Sequence, residues 1–325
     1  MRAVPLIYFG KLPSRGDFVR STTGAGLIQM LDRWLSQAME LLVADLRWKL
    51  VYDESSPMHF AVLGSRSPLG LAGYLMASQD SSGRRFPFVT GGSFETPQPL
   101  EFIARSPLAL SRLWARLERT AQQARTAGDF ADVQGHLQQG TLELESSPAA
   151  YEAQFRDFTE MQTVASLGSL LSQSGFDISV RQSLLALGML LRPLLVPGSG
   201  RLEKGLALPL AADPLYRPLV AAFWLDLIVP FVARSDVELA IFMTAGTVQR
   251  PVLLLGFAGA SPHTLLSALD PQVREREHVW LPAAEWVEGY VDADYGVRKL
   301  STYLREPQMS IAQALATFRE VFLGE

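Results

Sequence analysis

The chain has 325 residues, of which 48% are hydrophobic and 19% are charged, and its formal net charge is −4. This composition is typical of a soluble protein with one large domain or two moderate ones, and it excludes an overall basic field that would hold nucleic acid or an anionic membrane. The absence of cysteine excludes disulfides, thiolate catalysis and cysteine-ligated metal centres.

The chain also carries signs against membrane insertion. Its most apolar stretch, residues 219–233, is interrupted by Asp226 and Pro230 and falls short of the ~20 apolar residues needed to cross a bilayer. We expect a buried helix there, in which Asp226 is either a hydrogen-bonded core residue or part of a functional site. The N-terminal residues reach Gly10 and Lys11 too early for a signal peptide. These features predict a cytoplasmic protein.

A short apolar run, residues 4–9, leads directly into a polar turn. Gly10 and Pro13 interrupt any strand or helix that would continue from this run, so the pattern predicts a strand that ends in a tight loop. Gly16 allows a positive φ in that loop. Asp17 is expected to accept hydrogen bonds from backbone N–H groups. The residues leave two interpretations open: a well-tied structural turn, or a binding surface built on the same loop.

The following segments predict one helix and three extended stretches. Apolar side chains recur at helical spacing between residues 27 and 46, which predicts an amphipathic helix that faces a sheet. Trp34 and Trp48 are expected to pack in the core or at its edge. Extended stretches are predicted at residues 58–63, 71–77 and 86–90.

Two polar turns carry a resemblance to a known family. The sequence Gly-Lys-Leu-Pro-Ser-Arg-Gly-Asp-Phe at residues 10–18 and the sequence Ser-Gln-Asp-Ser-Ser-Gly-Arg-Arg-Phe-Pro-Phe at residues 78–88 are similar to the two motifs of the TagF family. Members of this family are accessory proteins of the bacterial type VI secretion system. Between the motifs, residues 31–35 resemble the family's tryptophan-bearing helix. The resemblance covers approximately residues 5 to 95.

A long helix completes the first half of the chain. Ser106 and Pro107 form an N-cap and first-turn pair, which predicts a helix that starts there and ends near Gly128. The order strand, helix, three strands, helix indicates an α+β domain whose antiparallel sheet is covered by helices. The family resemblance implies a longin or SNARE-like version of this architecture.

The polar segment between Gly128 and Pro148 predicts a domain boundary, because it is interrupted by glycines. We therefore expect two domains, each with its own sheet. The first is an N-terminal TagF-like, longin-like domain at residues 1–135, and the second is a C-terminal α+β domain at residues 145–325.

The second half also predicts helices and strands. A helix is expected at residues 151–171, and Ser310 with Gln313 forms a capping-box pattern that predicts the start of the last helix. A loop at residues 246–250 is expected to join two strands of a hairpin. The three predicted strands are residues 206–210, 237–244 and 251–257.

The sequence offers no recognisable catalytic constellation. Its four histidines are scattered, none lies three or four residues from another, and neither a phosphate-binding loop nor a nucleophile elbow occurs. We expect neither a cofactor nor a metal and no enzymatic activity. A rival hypothesis is a hydrolase with an unusual site at Arg15, Asp17 and Arg84, which lacks a nucleophile and base pair. A third is a structural subunit of the secretion apparatus.

The resemblance implies a cytoplasmic factor that restrains assembly or firing of the type VI secretion system after translation. It acts through protein contacts, and a forkhead-associated scaffold protein of the same system is the implied partner. We expect the two motifs to meet in space, with Asp17 bound to backbone N–H groups or paired with Arg84 or Arg85. The candidate protein-binding residues are Lys11, Ser14, Arg15, Asp17, Asp80, Arg84 and Arg85.

Overall fold

The computed structural model describes residues 2–147, 149–196, 202–244 and 250–324 of the chain. Its strands are β1 (Arg2–Pro5), β2 (Ile7–Gly10), β3 (Val19–Arg20), β4 (Met58–Gly64), β5 (Leu69–Met76), β6 (Phe88–Glu95), β7 (Thr141–Leu144), β8 (Gly205–Pro209), β9 (Glu238–Thr244), β10 (Val252–Gly256) and β11 (His278–Trp280). Its α-helices are α1 (Ala25–Val43), α2 (Trp48–Asp53), α3 (Pro99–Ala109), α4 (Ser111–Thr126), α5 (Ala131–Gln139), α6 (Ala149–Met161), α7 (Val164–Gln173), α8 (Val180–Leu191), α9 (Arg217–Val232), α10 (Pro262–Leu269), α11 (Pro271–Glu277), α12 (Tyr295–Tyr303) and α13 (Ile311–Leu323). Short 3-10 helices cover Arg192–Leu195, Glu285–Gly289 and Val291–Ala293.

One sheet runs through both halves of the chain. Within the described residues, nine strands pair in the order β11, β8, β10, β9, β4, β5, β6, β2, β3, and only β11 and β8 are parallel. Strands β1 and β7 form a separate small antiparallel sheet. The predicted α+β class is confirmed, because helices cover a sheet that is almost entirely antiparallel.

The two halves of the chain meet at the pair β4 and β9. This ladder runs from Met58 opposite Thr244 to Gly64 opposite Glu238. The expectation that each half has its own sheet is therefore wrong. Both strands are buried and apolar, and a pattern of this kind predicts a strand without specifying which other strand it joins. The division at residues 1–135 and 145–325 itself stays a prediction, as does the longin or SNARE-like likeness.

Alternating side chains give the sheet two buried faces. On β4, Phe60 and Val62 pack with one cluster of core residues, whereas Ala61 and Leu63 pack with the other. Helices α1, α2 and α10 cover the first face, and the remaining long helices cover the second. Both faces of the central strands are thus removed from water, which explains why these strands are apolar along their whole length.

Helix α1 is amphipathic as predicted, and its buried stripe includes Trp34 and Leu42. The indole N–H of Trp34 donates to the carbonyl oxygen of Ser261 at 3.0 Å, so this helix also joins the two halves of the chain. Trp48 is half-buried on α2, as expected for edge packing. Leu46 lies beyond the end of α1 and is fully exposed, so its predicted place in the stripe is wrong.

The predicted N-cap at Ser106 and Pro107 is also wrong. Both residues lie inside α3, which begins earlier at Pro99, and the long helix that follows begins at Ser111. The Ser106 hydroxyl instead donates to the carbonyl oxygen of Ile103, so it is satisfied within its own helix. A Ser-Pro pair is also compatible with a helix interior when the proline's missing hydrogen bond is tolerated.

The second half follows the sequence pattern more closely. Strands β8, β9 and β10 coincide with the predicted extended segments, and the capping box at Ser310 and Gln313 starts α13. Strands β9 and β10 are antiparallel neighbours, as a hairpin requires, but residues 246–249 of the predicted loop lie outside the described residues. Among the described helices, none is both long and apolar enough to cross a membrane.

Helix α9 is buried on all sides and contains the single acidic residue of the most apolar stretch. Its Asp226 accepts hydrogen bonds from Arg105 of α3, at 2.7 Å, and from Arg319 of α13. Arg105 also binds Glu152 of α6, and its guanidinium lies 3.7 Å from the centroid of the Phe155 ring. Asp226 is therefore a hydrogen-bonded core residue that ties helices from both halves together.

Candidate functional site

The two polar turns of the sequence motifs lie against each other, as predicted. Strands β2 and β6 are antiparallel neighbours, which brings the loop after β2 next to the loop before β6. The Ser81 N–H donates to the carbonyl oxygen of Arg15 at 2.8 Å, and Arg84 Nη2 donates to that of Gly16 at 2.6 Å. The Ser78 hydroxyl donates to the carbonyl oxygen of Lys11 at 2.7 Å. The two motifs thus form one hydrogen-bonded unit.

A buried carboxylate organises this unit. Asp80 Oδ1 accepts hydrogen bonds from the Ser82 N–H, the Ser82 hydroxyl and the Arg84 N–H, and Oδ2 accepts from Lys11 Nζ at 3.0 Å and Arg84 Nε at 2.7 Å. Burial by itself raises the pKa of Asp80, but the hydrogen bonds from Ser82, Lys11 and Arg84 outweigh it and hold that pKa well below its usual range. Asp80 is therefore a charged structural centre of the second motif.

Arg85 points away from this centre and forms a different pair. Its Nε and Nη2 donate to the two carboxylate oxygens of Asp53, both at 2.7 Å, and its guanidinium lies over the Trp48 ring. The hydrogen bond from Arg85 lowers the pKa of Asp53. This bidentate contact fastens α2 to the second motif, since both donors of the planar guanidinium are engaged.

Asp17 binds a backbone N–H group rather than an arginine. Its Oδ1 accepts from the N–H of Phe18 at 2.8 Å, which confirms the first form of the prediction. The alternative pairing is not formed, because Arg84 is bound to Asp80 and Arg85 to Asp53. The Asp17 carboxylate therefore caps the main chain just before β3.

Gly16 does not adopt the positive φ that its sequence context suggested. The positive-φ glycines of the motif unit are Gly10, at φ 134°, and Gly83, at φ 80°. At Gly10 a side chain would lie 2.0 Å from the carbonyl oxygen of Pro87, so the two loops approach too closely there for a Cβ atom. Glycine is therefore required at Gly10, at the start of the first turn, where this turn passes close to Pro87 of the second motif.

The candidate residues divide into a buried set and an exposed set. Lys11 and Asp80 are buried, and the Ser14 hydroxyl is buried without a hydrogen-bond partner among the described residues. Arg15 and Asp17 are exposed. The side chain of Arg84 is largely exposed although it is paired, and Arg85 is half-buried. The exposed members thus face solvent, whereas the buried members hold the unit together.

An exposed aromatic residue, Phe18, lies in the same loop as Arg15 and Asp17. Its side chain is 42% exposed, stacks on Phe9 with ring centroids 5.6 Å apart, and meets Phe86 edge-on at 4.9 Å. Lys11 Nζ lies 5.1 Å from the centroid of the Phe18 ring. Arg15 lies over the ring of Phe130, the residue just before α5, at 5.3 Å. A rigid aromatic side chain beside an exposed arginine is the residue combination found at centres of protein interfaces.

Two structural partners of the motifs were not predicted from the sequence. The Tyr52 hydroxyl donates to the carbonyl oxygen of Ser78 and accepts from its N–H, both at 2.9 Å, and Asp53 holds Arg85. Both residues lie on α2, which carries no motif. Burial raises the pKa of Tyr52 far above its ordinary value. The sequence around Tyr52 and Asp53 contains no local pattern that indicates this role. Phe18, in contrast, lies within the first motif and could have been identified from the sequence.

A cavity lies at the end of the large sheet that is opposite to β3. It has a volume of about 1240 Å³ and is lined by residues that include Lys204, Glu238, His263 and His278. His278 is 4% exposed, and neither ring nitrogen has a hydrogen-bond partner among the described residues. Burial, with a smaller effect of the nearby Arg274 charge, lowers the pKa of His278 to about 4. In the described part of the chain, no group of three or more acidic or histidine side chains could hold a metal ion.

Comparison with known proteins gives one family. Residues 7–139 match the TagF N-terminal domain, which is described as type VI secretion system-associated. These residues extend from β2 to the end of α5 and contain both motif turns. No curated protein matches the chain.

A part of the chain is similar to a solved structure. It is the crystal structure of PA0076 from Pseudomonas aeruginosa PAO1, with 20% sequence identity and a TM-score of 0.34. The match covers 43% of this chain and 64% of that protein, so the chain spans less than two thirds of its length.

Proposed function

We propose that the chain regulates secretion by binding another protein, because its residues 7–139 match the TagF N-terminal domain, which is type VI secretion system-associated. The binding surface includes the motif loop at Arg15, Asp17 and Phe18. The partner is the forkhead-associated scaffold protein of the same system. The protein works in the cytoplasm and restrains assembly or firing by covering a scaffold surface that the assembly needs.

The observation that carries this proposal is the joined pair of motif turns. Asp80 and Lys11 are engaged inside the unit, and Arg84 fastens the second turn to Gly16 of the first. This internal network presents Arg15 and Phe18 on a rigid loop, which reduces the entropy that binding would otherwise cost. A loop that is held by a buried ionic network is suited to binding a partner protein, and not only to reversing the direction of the chain.

We also propose that the chain is not an enzyme. The residues of the hydrolase alternative have other partners: Asp17 accepts the N–H of Phe18, and Arg84 is bound to Asp80 and to the main chain of Gly16. A hydrolytic site requires a nucleophile with a base in hydrogen-bond reach. The contacts of Asp17 and Arg84 instead resemble those of groups that hold a loop in shape.

Arg15→Ala tests the proposal. Removal of a central interface arginine typically costs ~2 kcal/mol, so titration calorimetry with the purified scaffold protein should show binding about thirtyfold weaker. The same variant should fail to restrain secretion in the native cell. The matched control is Arg116→Ala, which changes an exposed arginine on α4 and should bind as the unchanged protein does.

The outcomes are distinct. If Arg15→Ala melts at the temperature of the unchanged protein but binds equally well, the motif loop is not the binding surface. If the unchanged protein does not bind the scaffold protein at all, the proposed partner is wrong. Stoichiometric recovery of the chain with purified secretion apparatus would instead favour a structural subunit over a regulator.

A further inference from the structure

The large sheet ends at the motif loop, in its shortest strand. Strand β3 contains only Val19 and Arg20, stands last in the strand order, and pairs on one side with β2. Among the described strands, none pairs with the other side of β3, which is therefore an edge. In an antiparallel sheet such an edge presents main-chain N–H and C=O groups that can pair with another strand.

The pairing pattern identifies which groups face outward. The Ser21 N–H donates to the carbonyl oxygen of Tyr8 at 2.9 Å, so Ser21 directs its N–H towards β2. Hydrogen-bonded and non-hydrogen-bonded pairs alternate along an antiparallel ladder. Arg20, which stands opposite Phe9, is therefore a non-hydrogen-bonded residue of this ladder, and its N–H and C=O groups point away from β2.

The neighbouring outward N–H group is already occupied. Phe18 is two residues before Arg20 and faces the same way, but its N–H donates to the Asp17 carboxylate. Asp17 thus takes the position that a carbonyl oxygen of another strand would take at Phe18. The outward N–H of Phe18 is thus occupied by Asp17, whereas the outward N–H of Arg20 is available to pair with another strand.

A slot borders this open edge on both faces of the sheet. The cavity around β3 has a volume of about 1040 Å³. Ile28, Gln29 and Asp32 of α1 line it on the face of the sheet that contains Phe9. Phe130, at the start of α5, and Gln134 line it on the opposite face, where Tyr8 lies. A strand added to a sheet lies about 4.8 Å from the edge strand and directs side chains to both faces, and residues from both faces of the sheet line this cavity.

We propose that the partner inserts an extended segment into this slot and pairs with the main chain of Arg20, as an added strand next to β3. This inference rests on the proposed function and specifies how the motif surface binds. Hydrogen bonds to the main chain hold the segment in place. The side chains that line the slot then select its sequence.

The slot also indicates the chemistry of the inserted segment. Phe18 and Arg20 lie on the α1 face of the edge, since Phe18 stacks on Phe9 and Arg20 stands opposite it. Among the described residues, neither Arg20 nor Arg15 forms an ion pair, and the slot is also lined by the carboxylates of Asp17 and Asp32, so its charges are mixed. The fitting segment places an apolar side chain on Phe18 and an acidic side chain next to Arg20.

Short, charged edge strands also protect proteins from unwanted pairing. On that alternative, Arg20 and Asp17 only prevent aggregation, and the slot stays empty in the complex. The two possibilities differ in whether the N–H of Arg20 gains a hydrogen bond when the partner binds. They can therefore be separated by a main-chain measurement.

The test uses the full chain and the purified forkhead-associated scaffold protein. Arg20→Pro removes the outward N–H, and proline is tolerated on edge strands. Its matched control, Arg20→Ala, removes the side chain and keeps the N–H. We expect Arg20→Ala to weaken binding about fivefold or less, as for an exposed ion pair. Arg20→Pro should weaken it at least about tenfold further, since main-chain hydrogen bonds are lost.

Hydrogen exchange of the unchanged protein gives a second measurement that does not depend on the folding of the proline variant. The Arg20 amide should exchange rapidly in the free chain and slowly in the complex. If the scaffold protein binds but this amide stays unprotected, or if both Arg20 variants bind equally, the added strand is wrong and the proposed function stands. If the unchanged chain does not bind the scaffold protein, the proposed function fails and this inference fails with it.

Discussion

The ammonium nitrogen of Lys11 lies 3.0 Å from a carboxylate oxygen of Asp80, and both side chains are shielded from solvent. The two residues are 69 positions apart and belong to different polar turns. A buried pair of this kind is stable only when each charge keeps its partner. This contact therefore makes the shape of the first turn depend on the second.

Asp80→Asn should destabilise the fold markedly. The change leaves the ammonium of Lys11 buried without a counter-charge and removes one strong acceptor from Arg84, so we expect the melting temperature to fall by several degrees. The control is Asp53→Asn, which breaks the more exposed pair with Arg85 and should have a much smaller effect. Thermal unfolding followed by circular dichroism measures both. Equal losses in the two variants would contradict a structural role for Asp80.

The contribution of Asp80 should also depend on pH. Its pKa in the folded chain lies well below the value of about 4 for an unfolded aspartate. The contribution of ionised Asp80 to the stability of the fold is therefore complete above a pH of about 4. It is lost as the pH falls from there towards the pKa of Asp80 in the folded chain. Urea unfolding should show that the difference in stability between the unchanged protein and Asp80→Asn is smaller at about pH 3 than at about pH 6. A constant difference would show that Asp80 does not carry this charge effect.

His278 should make the protein sensitive to acid in a higher pH range. Its pKa is lowered from 6.5 to about 4, because the charged imidazole is disfavoured inside the protein. The unfolded chain binds a proton between these values and the folded chain does not, so stability falls as the pH decreases from about 6.5 to 4. The loss is on the order of 3 kcal/mol. The variant His278→Gln has no imidazole that could bind a proton. Urea unfolding should therefore show that its stability falls much less over the same pH range than that of the unchanged protein.

Asp226→Asn should be among the most damaging single changes in the core. It leaves the guanidinium groups of Arg105 and Arg319 without their shared buried carboxylate, at an expected cost of about 3 to 5 kcal/mol. The control is Asp294→Asn, in which an exposed pair with Arg192 is lost while the cap on α12 is kept, and the expected cost is at most about 1 kcal/mol. Urea unfolding of both variants measures these costs. A similar cost for both would show that the Asp226 cluster adds little.

The N-terminal half should not be stable alone. A chain that ends at residue 147 lacks β9 and so exposes the edge of β4 along its whole length, together with the apolar face that covers it. We expect this fragment to aggregate or to remain partly folded, as judged by size-exclusion chromatography and circular dichroism. A monomeric fragment with a cooperative unfolding transition would instead support the two-domain division at residues 1–135 and 145–325.

Local patterns in the sequence were sufficient to identify most strands and helices and the two motif turns. Alternating or continuous apolar runs identified strands such as β9, helical spacing identified α1, and Ser310 with Gln313 located the start of α13. These signals are readable because each depends on residues within a few positions of one another. The family resemblance depended on the same local patterns in residues 10–18 and 78–88.

The way in which these elements combine depends on contacts between segments that are far apart in the chain. The pairing of β4 with β9 joins residues about 180 positions apart, and two buried apolar strands carry no local mark of the partner that each will choose. For the same reason the sequence did not reveal that Asp80, rather than Asp17, would take Lys11 and Arg84. Side-chain partners and the open edge at Arg20 arise where separate segments meet, because hydrogen bonds and burial depend on distance in space.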